Sequence, residues 1–248
     1  MTAVRPGPST NAGLQWLVKV GTAPLGAWGI AMCWGERAVY SHARRLREAG
    51  LLEMCPKTRG EGTLVYATRA GVRLADVTAA VVDRKPAAVT WPHCEACAWT
   101  AAWLTTRGRE MVGPREMLVQ PQWREELHWH EHGETRRRAH RPDLACRLPD
   151  GAVLPIEVEL TDKSPTRLKA VLALHAEWVV SGQSAALIYV CASEPIREHV
   201  IAEGEQTGFS VTRGTLRVEL LETIQREAVE ARPQLAATEW HIAGTAVA

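Results

Sequence analysis

Hydrophobic and polar positions change period along this chain, and the changes divide it. From Ala12 to Ala49 the apolar residues recur at helical spacing. Ala12 to Val20 reads as a short helix with Leu14, Leu17 and Val18 on one face. Gly21 to Pro24 reads as a turn, and Leu25 to Met32 as a second short helix. Gly35 to Ala49 is a third, stronger one. Its inner face is expected to be Ala38, His42, Leu46 and Ala49, and Gly50 stands where a glycine ends a helix. The period then falls to two. Leu51 to Met54 and Thr63 to Ala67 read as strands flanking a polar tip, Lys57 to Gly62. A helix from Thr68 to about Val82 follows.

Beyond a linker around Pro86, Pro92 to Arg107 reads as a largely buried helix. Arg109 to Val119 reads as strand then helix, or as helix alone. Gln120 to His140 is polar and rich in His and Arg, which implies a loop or a ragged hairpin. Two alternating stretches come next. Arg141 to Leu148 and Val153 to Leu160 flank Pro149-Asp150-Gly151, a turn sequence that makes them a hairpin. Ser164-Pro165 opens a helix to about Val180. Ala185 to Ala192 is an apolar run with the character of a buried strand. Pro195 to Glu203 reads as a helix and Leu216 to Leu221 as a last strand. The alternation of strands and helices implies an α/β (α+β) mixed sheet flanked by helices. The expected division is residues 12–85, residues 91–231 and a loose tail, residues 232–248. The first eleven residues, rich in Pro, Gly, Ser and Thr, read as disordered.

Charge sharpens that division. The formal net charge of the 248 residues is +1. The first 90 carry 12 Lys+Arg against 6 Asp+Glu, a balance of +6; the rest carry 17 against 22, a balance of −5. A basic module joined to a mildly acidic one suits duplex DNA binding followed by a metal-carboxylate site. Apolar runs fall short of the ~20 residues that a membrane span needs, and Met1 to Ala12 has no apolar signal core. The expectation is a cytoplasmic protein with reduced cysteines and no membrane partner.

In Val153 to Leu160, Leu154, Ile156, Val158 and Leu160 point one way and Glu157 and Glu159 the other. Pairing with the preceding strand can bring Asp143 close to both. Three carboxylates converging in this way make a seat for Mg²⁺ or Mn²⁺. The alternative is a solvated polar face on an edge hairpin. Pro142-Asp143, a hairpin, Glu157-Val158-Glu159 and then a helix resemble the core of the PD-(D/E)xK nuclease superfamily, over about Trp91 to Glu222. With the N-terminal module and the helix ending Trp178-Val179-Val180-Ser181-Gly182, the chain resembles the replication-relaxation family of actinobacterial plasmids and conjugative elements. The resemblance implies metal-dependent phosphodiester hydrolysis with Asp143, Glu157 and Glu159 as metal-binding and catalytic residues. Glu159 stands where that superfamily usually has Lys, a place where a minority of restriction endonucleases have Glu. Lys163 and Lys169 are the residues that could replace it; Val171 stands near where the family often has a helical Lys.

Three helices and a β-wing, with the phrase Arg47-Glu48-Ala49-Gly50-Leu51-Leu52-Glu53, resemble a winged helix-turn-helix. Arg37, Arg44, Arg45 and Arg47 on the third helix, and Lys57 and Arg59 at the wing tip, are the expected DNA contacts. Arg136, Arg137 and Arg138, just ahead of Asp143, could hold DNA phosphates. Other partners to consider are a second copy in a homodimer and replication or transfer proteins. Cys94 and Cys97, with His93 and the His128-x-His130-x-His132 set, invite a zinc reading. Their spacing fits no zinc module, and core packing is the simpler reading of the Cys pair. Glu116 matches the place of a helical acid facing the metal by position only, and a surface Glu is the simpler reading. Three functions stay open: an endonuclease acting on duplex DNA of a plasmid or mobile element, a non-catalytic regulator of replication, transfer or transcription that uses the nuclease fold as a scaffold, or an interaction protein that uses both modules on other proteins.

Overall fold

The computed structural model describes residues 6–56, 63–79 and 86–237, with side chains up to residue 231 except that of Pro56. Lys57 and Arg59, the expected wing-tip contacts, lie outside the described residues. Helix α1 spans Pro8–Val20, strand β1 Thr22–Pro24, α2 Leu25–Ala31 and α3 Glu36–Glu48. Strands β2, Leu52–Pro56, and β3, Thr63–Ala67, precede α4, Arg69–Ala75. These three strands form one sheet in the order β1-β3-β2. Helix α1 begins ahead of the expected start, because Pro8 supplies a first-turn proline and Thr10 is buried on its inner face. Residues 8–11 are therefore ordered helix. The buried stripe of α3 is Val39, Ala43 and Leu46; Leu46 is as expected, while Val39 and Ala43 take the places expected of Ala38 and His42, and Ala49 lies just past the helix, exposed. His42 stacks on Trp34 at the margin, ring centroids 3.9 Å apart, and hydrogen-bonds Thr10 at 2.8 Å. Helix α4 is shorter than expected and ends on Asp76 in a left-handed conformation.

The second half is built on a five-stranded sheet. Helix α5 spans Trp91–Thr106, β4 Glu110–Val112 and α6 Pro114–Met117. Strands β5, Glu125–Glu131, and β6, Glu134–His140, form a two-stranded sheet of their own among the described residues. The polar stretch expected to be loop or ragged hairpin is thus a regular hairpin, turned by His132 and Gly133 at φ 51° and 78°. Strands β7, Leu144–Arg147, and β8, Val153–Glu159, form the expected hairpin with Leu144 opposite Ile156. Helix α7, Pro165–Val180, leads to β9, Leu187–Cys191; α8, Glu194–Gln206, leads to β10, Leu216–Leu220; α9 runs Leu221–Ala237. The sheet order is β10-β9-β8-β7-β4, antiparallel from β4 to β8 and parallel from β8 to β10. The protein is thus mixed α/β, with sheets flanked by helices. The expected tail is helical through Arg232 as far as Ala237, and residues 238–248 lie outside the described residues.

Helices cover both faces of the five-stranded sheet. Ile156 and Val158 of β8 and Ile188 and Val190 of β9 join Leu144, α5 and α9 in one apolar core. Leu187, Tyr189 and Cys191 pack on the other face against Leu168 and Leu172 of α7 and Ile196 and Val200 of α8. The first core continues without interruption into α1, α2 and β3. The two halves meet closely elsewhere too. Gly113 lies so near the end of α1 that an added Cβ would fall 2.1 Å from the Lys19 carbonyl oxygen. No helix of the described residues is long and apolar enough to cross a membrane.

The His42 stack gives a pH signature. Burial, and then the charge of Arg45, push its imidazole below the usual histidine pKa. A base with a depressed folded pKa costs stability once the unfolded state takes up its proton, and the loss is complete when both states carry it. Stability of the chain should therefore be full above about pH 6.5, the unfolded value, and fall as pH drops through the lower folded value. Denaturant midpoints from pH 7.5 to 5 should show this fall, and His42→Phe, which keeps the stack, should make it shallower. An equal fall in both proteins would place the titrating group elsewhere.

Candidate active-site cleft

Strand β8 lies inside a sheet covered on both faces, so its acidic residues are not solvated. Glu157 and Glu159 are 3% and 6% exposed. They sit on the α7 side, in register with Tyr189 and Cys191 of β9. A carboxylate buried in this way needs a cation or hydrogen-bond donors. Glu157 obtains two. His175 of α7, fully buried, places Nε2 2.9 Å from Glu157 Oε1, and His140 at the end of β6 places Nε2 3.0 Å from the same oxygen. Burial alone pushes the Glu157 carboxyl up. The His140 charge and the hydrogen bonds from His140 and His175 outweigh it and hold the group well below the usual carboxylate range. For His140 burial works downward, and Glu157 reverses the balance, so its pKa is raised.

Asp143 immediately precedes β7. Its Oδ2 accepts the Val158 backbone N–H at 2.8 Å, which places the carboxylate beside the peptide between the two glutamates. Its Oδ1 lies 2.9 Å from His93 Nε2 on the first turn of α5, and Cys97 Sγ lies 3.5 Å from that nitrogen. The hydrogen bond to Asp143 raises the His93 pKa against the opposing effect of burial. Glu159 is held differently, by an ion pair with Lys163 in the loop after β8. The Lys163 ammonium also lies over the Tyr189 ring, 5.8 Å from its centroid. Burial lowers its pKa, opposed by Glu157 and Asp143.

Asp143, Glu157, Glu159 and Lys163 all line one cleft of ≈ 890 Å³. The β5–β6 hairpin forms a wall of it through Trp129, Arg138 and His140, and α7 contributes Arg167 and Val171. The Arg167 guanidinium lies 5.9 Å from the Trp129 ring centroid. Arg141 and Arg167 both line the cleft, and each has a buried Nε with no hydrogen-bond partner among the described residues. Two cationic groups lining a cleft suit an anionic substrate.

The remaining expected residues divide. Arg138 lines the cleft. Arg136 pairs with Glu134 at 3.0 Å, and Arg137 lies across from His128 on the opposite face of the hairpin. Lys169 does not reach the site: it is exposed on α7 and borders a separate shallow groove with Ala173 and Gln206. One residue past the buried Leu168, it is turned away by the helical period. Glu116 caps α6 through the Gly113 N–H and pairs with Lys19 at 3.1 Å, away from the cleft. Arg37, Arg44, Arg45 and Arg47 are exposed on α3, which contributes no residue to the cleft. Cys94 is not grouped with the hairpin histidines. His128, His130 and His132 are exposed, and it is Cys97 that joins His93 and Asp143.

A divalent ion is what the sequence resemblance implies, and the donors allow a test of fit. Among the described residues, two groups of three ligand atoms lie within 4.8 Å of one another: His93, Cys97 and Asp143, and His140, Glu157 and His175. Asp143, Glu157 and Glu159 do not form such a group. The all-oxygen seat that Mg²⁺ favours is therefore not assembled here, whereas donor sets containing imidazole suit Mn²⁺ and its heavier neighbours. Sequence reasoning passed over His140 and His175. His175 had one signal, a polar residue in the apolar stripe Leu168, Val171, Leu172 and Trp178 of α7.

No known protein-family profile matches this chain, and no curated protein matches it. Among solved structures, the crystal structure of protein VC1899 from Vibrio cholerae aligns with 93% of this chain and 57% of that one, at 12% identity and a TM-score of 0.34. The chain thus spans little more than half that protein's length. A likeness this slight assigns neither a fold family nor an activity.

The Glu159–Lys163 pair can be tested by stability. Both side chains are largely buried, so Lys163→Met should cost about 3–5 kcal/mol by leaving Glu159 without its cation. Adding Glu159→Gln should recover most of that loss. Urea unfolding of both variants decides it, and a loss below about 1 kcal/mol in the single variant would match a solvent-screened pair instead.

Proposed function

We propose that this protein binds duplex DNA through its N-terminal half and hydrolyses phosphodiester bonds in the cleft of its C-terminal half, as a PD-(D/E)xK-like enzyme. The observation that carries the reading is the meeting of Asp143, Glu157, Glu159 and Lys163 in one cleft, with Asp143 bonded to the peptide between the glutamates. The order on which the sequence resemblance rests, hairpin, acidic strand and helix, is the order of β7, β8 and α7. For the N-terminal half the support is three helices, a three-stranded sheet closed by β2 and β3, and the exposed arginines of α3. In a winged helix-turn-helix that third helix enters the major groove. The replication-relaxation resemblance points to DNA of a plasmid or mobile element as the substrate.

In this reading a divalent ion held by Glu157 and its neighbours would supply Lewis-acid polarisation of the scissile phosphate and ease deprotonation of a water. The chain's own groups do the rest. Lys163 brings positive charge beside Glu159, where the sequence motif usually has Lys, and so favours the charge that develops on phosphate. Arg138, Arg141 and Arg167 can hold the flanking backbone through their guanidinium donors. His93, oriented by Asp143 and half exposed, is placed to give or take a proton. A second reading has an observation of its own. Asp143, Glu157 and Glu159 each already have a protein partner, as a scaffold without catalysis would require. That is the regulator of replication, transfer or transcription.

Incubation with supercoiled and linear DNA separates the two. Nicking is expected with Mn²⁺ and more weakly with Mg²⁺, and Glu157→Gln should lower the rate by about 100-fold or more. Cleavage unchanged in Glu157→Gln would assign it to another site. No cleavage by the native chain on any DNA form, alongside sound binding, would favour the regulator. For binding itself, Arg44→Ala with Arg45→Ala should weaken duplex affinity. The slope of log affinity against log salt should flatten by about one unit for each phosphate no longer neutralised. Unchanged affinity would remove α3 from the interface.

A further inference from the structure

The pairing of two imidazoles with one buried carboxylate oxygen is the feature that goes furthest beyond this reading. We infer that His140, Glu157 and His175 form the binding site of a first-row transition-metal dication of the Mn²⁺ to Zn²⁺ class, and that this set, rather than the three carboxylates, holds the ion. Such a site deepens the hydrolase reading by naming its metal centre, and rests on that reading only for the ion's purpose.

Geometry is the first support. Both Nε2 atoms lie 2.9 and 3.0 Å from Glu157 Oε1, and all three ligand atoms fall within 4.8 Å of one another. With metal–ligand bonds of about 2.1 Å, neighbouring ligands stand about 3.0 Å apart at right angles and about 3.4 Å apart in a tetrahedron. Two of the three separations already match the right-angle value, and the two imidazole nitrogens have to close from no more than 4.8 Å. Its members come from three elements, β6, β8 and α7, and are fixed by packing. The two imidazoles meet edge to face with centroids 5.6 Å apart, and His175 packs edge to face on Trp178 at 5.0 Å.

Charge and access support it next. A carboxylate as buried as Glu157 calls for a cation, and a dication ligated by the two imidazoles would supply it. His140 and Glu157 line the cleft, while His175 lies fully buried outside its lining. An ion there would be held by one ligand buried outside the cleft and two that line it, and so could be reached from the cleft. Two imidazole nitrogens and one carboxylate select against Mg²⁺, which prefers oxygen and retains its water. The rival trio, His93, Cys97 and Asp143, has two ligands on one helix turn, and His93 is the most exposed ligand of either set.

The test uses the full chain, stripped with a chelator and titrated with Co²⁺, Zn²⁺, Mn²⁺ and Mg²⁺ with no DNA present. Visible Co²⁺ absorption and calorimetry read binding, and elemental analysis after gel filtration reads stoichiometry. One equivalent per chain is expected, with Co²⁺ and Zn²⁺ bound at least about 100-fold more tightly than Mg²⁺. His140→Gln should weaken binding at least about tenfold, while Asp143→Asn and Cys97→Ser keep it within a fewfold. His175→Gln should do the same as His140→Gln; because His175 is buried, circular dichroism must show that variant folded, and His140→Gln stands as the test if it is not. Absence of binding, binding confined to Mg²⁺, or binding lost in Asp143→Asn or Cys97→Ser but kept in His140→Gln would each overturn the assignment. DNA cleavage is read separately: a chain that binds the ion and cuts nothing retains this site and loses the hydrolase reading.

Discussion

A carboxylate on the inner face of a sheet covered on both sides must be neutralised, and Glu157 imposes that constraint on everything around it. An unpaired charge there would cost several kcal/mol. The neutralising groups come from far apart in sequence. His175 fixes the rotation of α7 about its axis, because the same stripe carries Leu168 and Leu172 into the second core. His140 ties the end of the β5–β6 hairpin to the sheet although no strand of that hairpin pairs with it. The cleft is walled by these two elements, which are held over β8 and meet through His140 and His175 and through Trp129 and Arg167.

The same logic accounts for the neighbours. Glu159, next along that face, is paired by Lys163, which the loop after β8 delivers at once. Asp143 satisfies its two oxygens with a backbone N–H and an imidazole. The cleft therefore holds anions and cations in contact, and an incoming ion or phosphate must exchange partners with existing pairs. Such a site responds to small changes in protonation or ligand, since each bond made there breaks another. The apolar core beneath, shared with α1 and α2, gives the exchange a rigid floor and links the cleft to the helix that presents the arginines.

Local pattern carried much of this architecture. The alternation of Leu154, Ile156, Val158 and Leu160 against Glu157 and Glu159 fixes which side of β8 meets which core, and the Pro149-Asp150-Gly151 turn sets the hairpin register. What local pattern could not carry was depth. Nothing within Val153 to Leu160 says that β9 and α7 will cover the glutamates, so a solvated edge was as consistent with the residues as a buried site. The histidines escaped for the same reason, since His140 sits in a basic run and His175 in an apolar one, and their meeting is purely tertiary. The start of α1 escaped because Pro8 and Thr10 read as loop residues until Thr10 is buried. Helix α9 was hidden by its sparse apolar positions. Ile224 and Ala228 are enough to seat it on α5, helped by Glu227, which accepts from Trp103 and Arg107 at 2.8 and 2.6 Å. In the inner stripe of α3 Leu46 stood as expected, but Val39 and Ala43 replaced Ala38 and His42, because His42 stacks on Trp34 at the margin.

Anomalous diffraction from crystals soaked in Mn²⁺ or Zn²⁺, recorded on both sides of the metal's absorption edge, addresses the central claim most directly. A single strong peak is predicted about 2.1 Å from His140 Nε2, Glu157 Oε1 and His175 Nε2, with Asp143 still bonded to the Val158 N–H. A peak seated instead among Asp143, Glu157 and Glu159, with the two histidines turned away from Glu157, would contradict it.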